Sequence, residues 1–233
     1  ALIMREVLET PEKTCALVTS DRRMARRVSQ CLKRWGIVID DSGGQPLTEF
    51  PVGSYLLSLA KTAVENLAPI SLLAFLKHPL TAFAIEGAEL RDNIQFLDEK
   101  ILRGVKHSGG FNGIKENLDT RVSEKFIAWL DLLESNLKEF LSVMISSEKQ
   151  NFRNLLQLHI KTAEQIASTI DIIGANRLWR GDAGEAAANF LTDLLTIADN
   201  IPDLLPSDYV AVLSVLLKSN TVRPKFGTHP RLS

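Results

Sequence analysis

From Val52 to Leu217 apolar residues recur three and four positions apart with little interruption, the spacing that lines one face of a helix. Val52, Leu56, Leu59 and Ala63 mark a first amphipathic helix; residues 70–76 form a short apolar one stopped at His78-Pro79; Leu90, Ile94, Leu97 and Ile101 mark a third. Residues 104–113, with their glycines, read as a loop. Val122, Phe126, Trp129, Leu133, Leu137, Phe140 and Met144 then predict a long helix, and Phe152, Leu156, His159, Ala163, Ile166 and Ile170 its antiparallel partner. Gly174 and Gly181 to Gly184 bracket an expected turn around Trp179. Phe190, Leu194, Ile197 and Ala198 continue the bundle, and Pro206-Ser-Asp208 opens a last helix. One-sided stripes bury themselves against each other, so a helical domain over residues 51–220 is expected, with Phe126 and Trp129 in its core.

The first fifty residues are patterned differently. Residues 13–19 are a short apolar run suited to a buried strand, Ser20-Asp21 supplies a helix N-cap, and Met24, Val28, Cys31 and Trp35 recur at helical spacing up to Gly36. Ile37-Val-Ile39 reads as a second strand and residues 40–44 as a turn. Strand, helix, strand with short joints is the pattern of an α/β unit with parallel strands, here too small to complete a sheet. At the other end, residues 221–233 carry Pro224, Gly227 and Pro230 together with Arg223, Lys225 and Arg231, an extended cationic run. The pattern reads as a segment of a longer polypeptide in three parts: a partial α/β element over 1–50, a helical domain over 51–220, and a basic segment over 221–233 that returns beside residues 13–40. The expected fold class is mainly α.

Charge sharpens this division. The formal net charge is only -1, yet residues 1–36 and 221–233 are basic while the middle holds most of the acids. On the helix after Asp21, Arg22, Arg26 and Lys33 fall along one stripe and Arg23, Arg27 and Arg34 along the next, opposite the apolar line. Such a face can track nucleic-acid phosphates, because guanidinium forks match phosphate oxygens and neutralisation releases counterions. It can equally be a solvated face paired with acids elsewhere. Two cysteines, Cys15 and Cys31, are too few for a disulfide framework and fit a reducing cytoplasm. No apolar run reaches the roughly 20 residues that span a bilayer.

Catalytic chemistry is hard to find in the pattern. There is no phosphate-cradling G-x-x-x-x-G-K-[ST] loop, no G-x-S-x-G, no H-E-x-x-H and no C-x-x-C. His78, His107, His159 and His229 stand far apart, and no metal site or cofactor is expected. Asp40-Asp41 after a strand can hold a magnesium ion, but the following Ser-Gly-Gly makes them read as turn residues.

Several ordered blocks carry a family resemblance: Ala16-Leu-Val-Thr-Ser-Asp-Arg22, Arg34-Trp-Gly-Ile37, Asp40-Asp-Ser-Gly43, Leu72-Leu-Ala-Phe-Leu-Lys-His-Pro-Leu80, Leu178-Trp-Arg-Gly-Asp-Ala-Gly-Glu185 and the terminal Thr221 to Leu232 run. With them the chain resembles the AddB subunits, of the alphaproteobacterial type, of AddAB helicase–nucleases, over the start of a UvrD-like 2A subdomain and its helical 2B insertion. The resemblance implies a role in processing double-strand DNA ends for recombinational repair, with DNA and an AddA-like helicase–nuclease subunit as partners. It also implies that the nucleotide-binding loop, nuclease domain and cluster-ligating cysteines lie outside this stretch. Active motors of this kind carry an arginine after the first 2A strand; Ser20 stands there, and a serine supplies no cation to ATP hydrolysis. The expectation is a non-catalytic, DNA-contacting element using Arg22, Arg23, Arg26, Arg27, Lys33, Arg34, Arg223, Lys225 and Arg231. The alternative is a helical scaffold that docks the partner subunit without touching DNA.

Overall fold

The computed structural model describes residues 1–103, 109–118, 122–223 and 228–232. With 65% helix and 4% strand it is mainly α, the class the periodicity predicts. The chain divides into two compact units: a small unit, Ala1–Pro46 with Thr221–Ser233, and a helical unit, Leu47–Asn220, inserted within its sequence. The division falls at Pro46 rather than at residue 50, because residues 47–49 form a 3-10 turn whose Leu47 is buried with the helices.

The small unit holds α1 (Leu2–Val7), α2 (Arg22–Lys33) and two short antiparallel strands, β1 (Gln45–Pro46) and β2 (Thr221–Val222), paired Gln45 to Val222 and Pro46 to Thr221. Its core is a cluster of Met4, Leu32, Ile39 and Leu232, against which Leu8, Cys15, Leu17, Val28 and Ile37 pack. The two strands expected at 13–19 and 37–39 are not formed. Both stretches nonetheless alternate as strands do: Cys15, Leu17 and Thr19 turn inward while Ala16, Val18 and Ser20 are exposed, and Ile37 and Ile39 turn inward on either side of Val38. What they lack is a ladder. Among the described residues the pairing is a single parallel bridge from Cys15 to Leu232 and a bond from the His229 N–H to the Val38 carbonyl, so Val18 is left 93% exposed. A side-chain period of two needs only an extended backbone; a strand also needs a neighbour.

The helical unit contains α3 (Pro51–Val64), α4 (Pro69–Leu76), α5 (Gly87–Phe96) with a π-helical continuation over Leu97–Leu102, α6 (Gly110–Glu116), α7 (Glu124–Met144), α8 (Phe152–Ala167), α9 (Gly174–Leu178), α10 (Gly181–Ile197) and α11 (Pro206–Ser219). Pro51 opens α3 where a missing N–H costs nothing. The helix is more than amphipathic: Tyr55, Ala60 and Thr62 are buried along with the predicted Val52, Leu56, Leu59 and Ala63, and α3 touches α4, α7, α8, α10 and α11. Gly53 is required here, since a Cβ would come within 2.1 Å of the Leu47 carbonyl oxygen. Long α7 buries Phe126, Trp129, Leu133, Leu137, Phe140 and Met144 as predicted, and adds Leu130 and Leu141.

Four helical details differ from the sequence reading. Residues 110–113, taken as loop, begin α6; residues 104–108 lie outside the described residues. Gly181 to Gly184, taken as turn, form the first turn of α10, where the bare Gly184 lets the helix meet the backbone of Trp179. The buried stripe of α10 is then Gly184, Ala187, Leu191, Leu194 and Ala198, leaving Ile197 exposed. Small residues carry the close approach, and larger ones beside them turn to solvent. Ile170 likewise lies past the end of α8 and is exposed.

Candidate nucleic-acid interface

The small unit concentrates positive charge, with eleven Lys and Arg against six Asp and Glu; the helical unit has sixteen against twenty-two. Most of the surplus lies on α2. Asp21 caps that helix, its carboxylate accepting the backbone N–H groups of Arg23 (2.8 Å) and Met24 (3.3 Å), and Gly36, at φ +71°, ends the chain's run beyond it. The inward face is not the predicted line of Met24, Val28, Cys31 and Trp35. Leu32 is the residue fully buried, Val28 and Cys31 are half-buried, and Met24 and Trp35 remain 49% and 42% exposed. The helix is rotated from the predicted orientation because its cluster partners, Met4, Ile39 and Leu232, lie on the Leu32 side.

The nine expected cations divide into separate roles. Arg22 is used internally: its guanidinium pairs with Asp41 at 3.1 Å and donates to the Gly44 carbonyl, closing the 41–44 turn. This also settles Asp41, whose carboxylate accepts from Arg22 and from the Gly43 N–H (3.0 Å) as a turn residue does. Arg231 is used internally too, donating to the carbonyls of Thr10 (2.9 Å), Leu8 (3.2 Å) and Lys13 (3.3 Å), the unsatisfied acceptors just after α1. Arg26 is exposed and has an intramolecular interaction. Arg223 is exposed after β2 with its stem beside Gly44, and Lys225 lies outside the described residues. That leaves Arg23, Arg27, Lys33 and Arg34, all exposed on or at the end of α2 with no ion pair among the described residues. Arg23 and Arg27 stand one turn apart and flank a shallow cleft of about 610 Å³ bounded by Ala1, Met24, Val28 and Cys31. Lys33 and Arg34 sit at the negative end of the helix dipole, which favours them there. Cationic groups in this array offer hydrogen-bond donors and charge to an anionic polymer and no group suited to bond making.

In the helical unit one side-chain pair has the composition of a nucleophile and base: Ser54 Oγ lies 3.1 Å from His78 Nε2. Its hydrogen bonds run the wrong way. The Leu80 N–H donates to His78 Nδ1 (3.2 Å), which places the ring proton on Nε2, where it is donated to Ser54. Ser54 in turn donates to the Phe50 and Pro51 carbonyls, each 3.1 Å away. The imidazole has no lone pair left to accept the serine proton. Burial, and then the Arg177 guanidinium, hold the His78 pKa below its ordinary value. Arg177 itself clamps the carbonyls of Pro79 (2.5 Å), Leu80 (2.9 Å) and Ala167 (3.0 Å). These groups edge a cleft of about 850 Å³ with an apolar floor including Leu76, Leu90 and Ile94. No residue spacing in the sequence foretold the Ser54–His78 contact.

His159 is a core residue. It stacks on Phe140, donates from Nε2 to the Leu56 carbonyl (3.0 Å), and accepts at Nδ1 from the Tyr209 hydroxyl (2.8 Å). Burial pushes its pKa down to about 4, against a smaller upward pull from the Leu56 carbonyl. Among the described residues no three His, Cys, Asp or Glu side chains gather as a metal site, and no helix is long and apolar enough to cross a membrane. Comparison with protein families, with curated proteins and with solved structures finds no match to this chain.

Proposed function

We propose that this chain is a non-catalytic, DNA-contacting element of an AddB-like subunit, acting in the cytoplasm beside an AddA-like partner in the ATP-dependent processing of double-strand DNA breaks. The resemblance of the sequence blocks supports the family part of this reading; the observation that carries the contact is the exposed set of Arg23, Arg27, Lys33 and Arg34 on and at the end of α2, with no ion pair among the described residues. An α-helix bearing unpaired guanidinium groups gains most by meeting phosphate, whose charge and fork geometry it matches. The role assigned to Ser54 and His78 is structural, so neither ATP hydrolysis nor strand cleavage is expected of the chain alone. Fluorescence anisotropy with labelled DNA at low salt tests this. The wild-type chain should bind, and R23A/R27A should weaken binding about tenfold or more without altering the melting curve. Failure of the wild type to bind, or equal affinity in the variant, defeats the reading.

A second reading has an observation of its own. Ile170, Ile172 and Ile173 are all exposed in one short loop of the helical unit, and Ile170 also lines the 850 Å³ cleft. Clustered apolar exposure beside a cleft fits a protein docking surface, and a scaffold role for the helical unit is compatible with DNA contact by the small one.

A further inference from the structure

We propose that the cleft between α5 and the 169–171 loop of the helical unit is a groove for an acidic amphipathic helix of a partner protein. The inference rests on the docking reading of the helical unit and adds to it the fold and the charge of what docks. One helix supplies most of the groove. Leu90, Arg91, Ile94, Gln95 and Asp98 recur along one face of α5 and its continuation. From Gly87 to Asp98 this lining runs for about 16 Å, the length of some three helical turns. Across the groove stands Ile170, 66% exposed, and the exposed Ile172 and Ile173 continue the apolar surface along the same loop. Large apolar side chains gathered at one cleft gain by losing water to a matching apolar stripe.

The backbone around the groove decides the fold of the occupant. An extended segment docks by pairing with free N–H and C=O groups, and those of the groove wall are already taken. Arg177 holds the carbonyls of Pro79, Leu80 and Ala167. The Ile166 carbonyl accepts from the N–H groups of Ala82 (3.0 Å) and Phe83 (2.8 Å), and the Ser168 carbonyl from that of Ala84 (2.6 Å). An occupant must satisfy its own backbone, which a helix does.

Charge decides its composition. The one part-buried acid of the groove, Asp98, is shared by Lys77 (2.8 Å) and Arg103 (3.2 Å), so it offsets no further cation. Glu86, Asp171 and Arg91 line the edge in solvent, where salt screens them. Arg177 is different: it is half-buried and meets carbonyls, with no carboxylate partner among the described residues. Its charge is felt inside the cleft, where it adds to burial in lowering the His78 pKa. A carboxylate on an entering helix supplies the counter-charge that Arg177 lacks, through a charge-assisted hydrogen bond.

The test pans a displayed library of randomised peptides, about sixteen residues long, against the whole chain. Enriched peptides should carry apolar residues three and four apart with Asp or Glu beside them, and the most enriched, made as a labelled peptide, should become helical on binding. Ile170→Glu should weaken that peptide about tenfold or more, whereas Val215→Glu, at an exposed apolar position of α11, should leave its affinity unchanged. Arg177→Gln should abolish the preference for this peptide over a version with its acids changed to lysine. Arg91→Gln, at an exposed position, should reduce the same preference and serves if the Arg177 variant does not fold. Enriched peptides that are basic or bind in extended form, with binding lost in Ile170→Glu, overturn the acidic helix and leave the docking reading standing. No enrichment, or binding indifferent to Ile170→Glu, overturns both together. Displacement of the peptide by duplex DNA would assign the groove to nucleic acid and overturn the proposal as well.

Discussion

The helical unit wraps one largely buried helix, α3, with five others, whereas the small unit closes over a core cluster of four buried apolar residues and leaves Val18, Met24 and Trp35 in the open. Polar groups follow the same division. In the helical unit the Tyr55 hydroxyl reaches the Ala163 carbonyl (3.0 Å), Thr62 the Ser71 carbonyl (2.9 Å) and Thr81 the Phe75 carbonyl (2.7 Å). In the small unit long cationic side chains do that work, Arg22 in the 41–44 turn and Arg231 after α1. A large core can be specified by apolar shape with short hydroxyl bonds. A small one is held by guanidinium groups that span loops, and a basic composition then serves folding and ligand contact together.

The largest effect should come from the core of the helical unit. Trp129→Ala should destabilise it by about 3–5 kcal/mol, read as a lowered denaturant midpoint. Trp129→Phe should cost clearly less, because the indole N–H has no hydrogen-bond partner to lose. A Phe variant as unstable as the Ala variant would show that the indole shape, rather than its burial, is what the core requires.

Acid should strain the helical unit next. His159 is neutral when folded, with its pKa near 4, and takes up a proton more readily when unfolded, at about 6.5. Its contribution is fully present above about pH 6.5, declines as pH falls towards 4, and is flat below that; the total is about 3 kcal/mol. His78, also shifted downward, acts in the same direction. His159→Gln should flatten this part of the stability curve, and an unchanged curve would mean that carboxylates dominate the acid transition.

In the small unit Arg231→Ala should cost about 1–2 kcal/mol, through three carbonyls that lose a charged donor. Limited proteolysis near residues 8–13 is the sensitive readout. Arg23→Ala, by contrast, should stay within about 0.5 kcal/mol of wild type. If the two variants behave alike in stability, the separation of structural from ligand-facing cations fails. The smallest effect is expected at the bidentate Arg153–Asp199 pair (2.6 and 2.7 Å), which lies in solvent, so Arg153→Ala should leave the melting curve close to that of the wild type.

How much of this was legible in the sequence depended on the range of the interactions involved. The stripe of α7 from Phe126 to Met144 is local and strong, and the structure buries it as the period predicts. The rotation of α2 was not legible, because Met24, Val28, Cys31 and Trp35 make as good an apolar line as Ala25, Val28 and Leu32, and the choice is made by Met4, Ile39 and Leu232 from distant parts of the chain. The stretches at 13–19 and 37–39 show the limit of a two-residue period, which reveals extended backbone but not pairing. At the candidate site the basic residues stood out at once. Which of them are consumed internally did not, since Arg231 finds its acceptors at Leu8, Thr10 and Lys13, near the other end of the chain.

The central claim is that the free cations of α2 meet phosphate, and the salt dependence of DNA binding measures this most directly. Each neutralised phosphate contributes about -0.9 to the slope of log K against log salt on duplex DNA, so four such contacts give a slope of about -3 to -4. The account predicts that slope for the wild-type chain and a loss of most of it in R23A/R27A/K33A/R34A with the fold retained. A slope that is the same in the two proteins would contradict it.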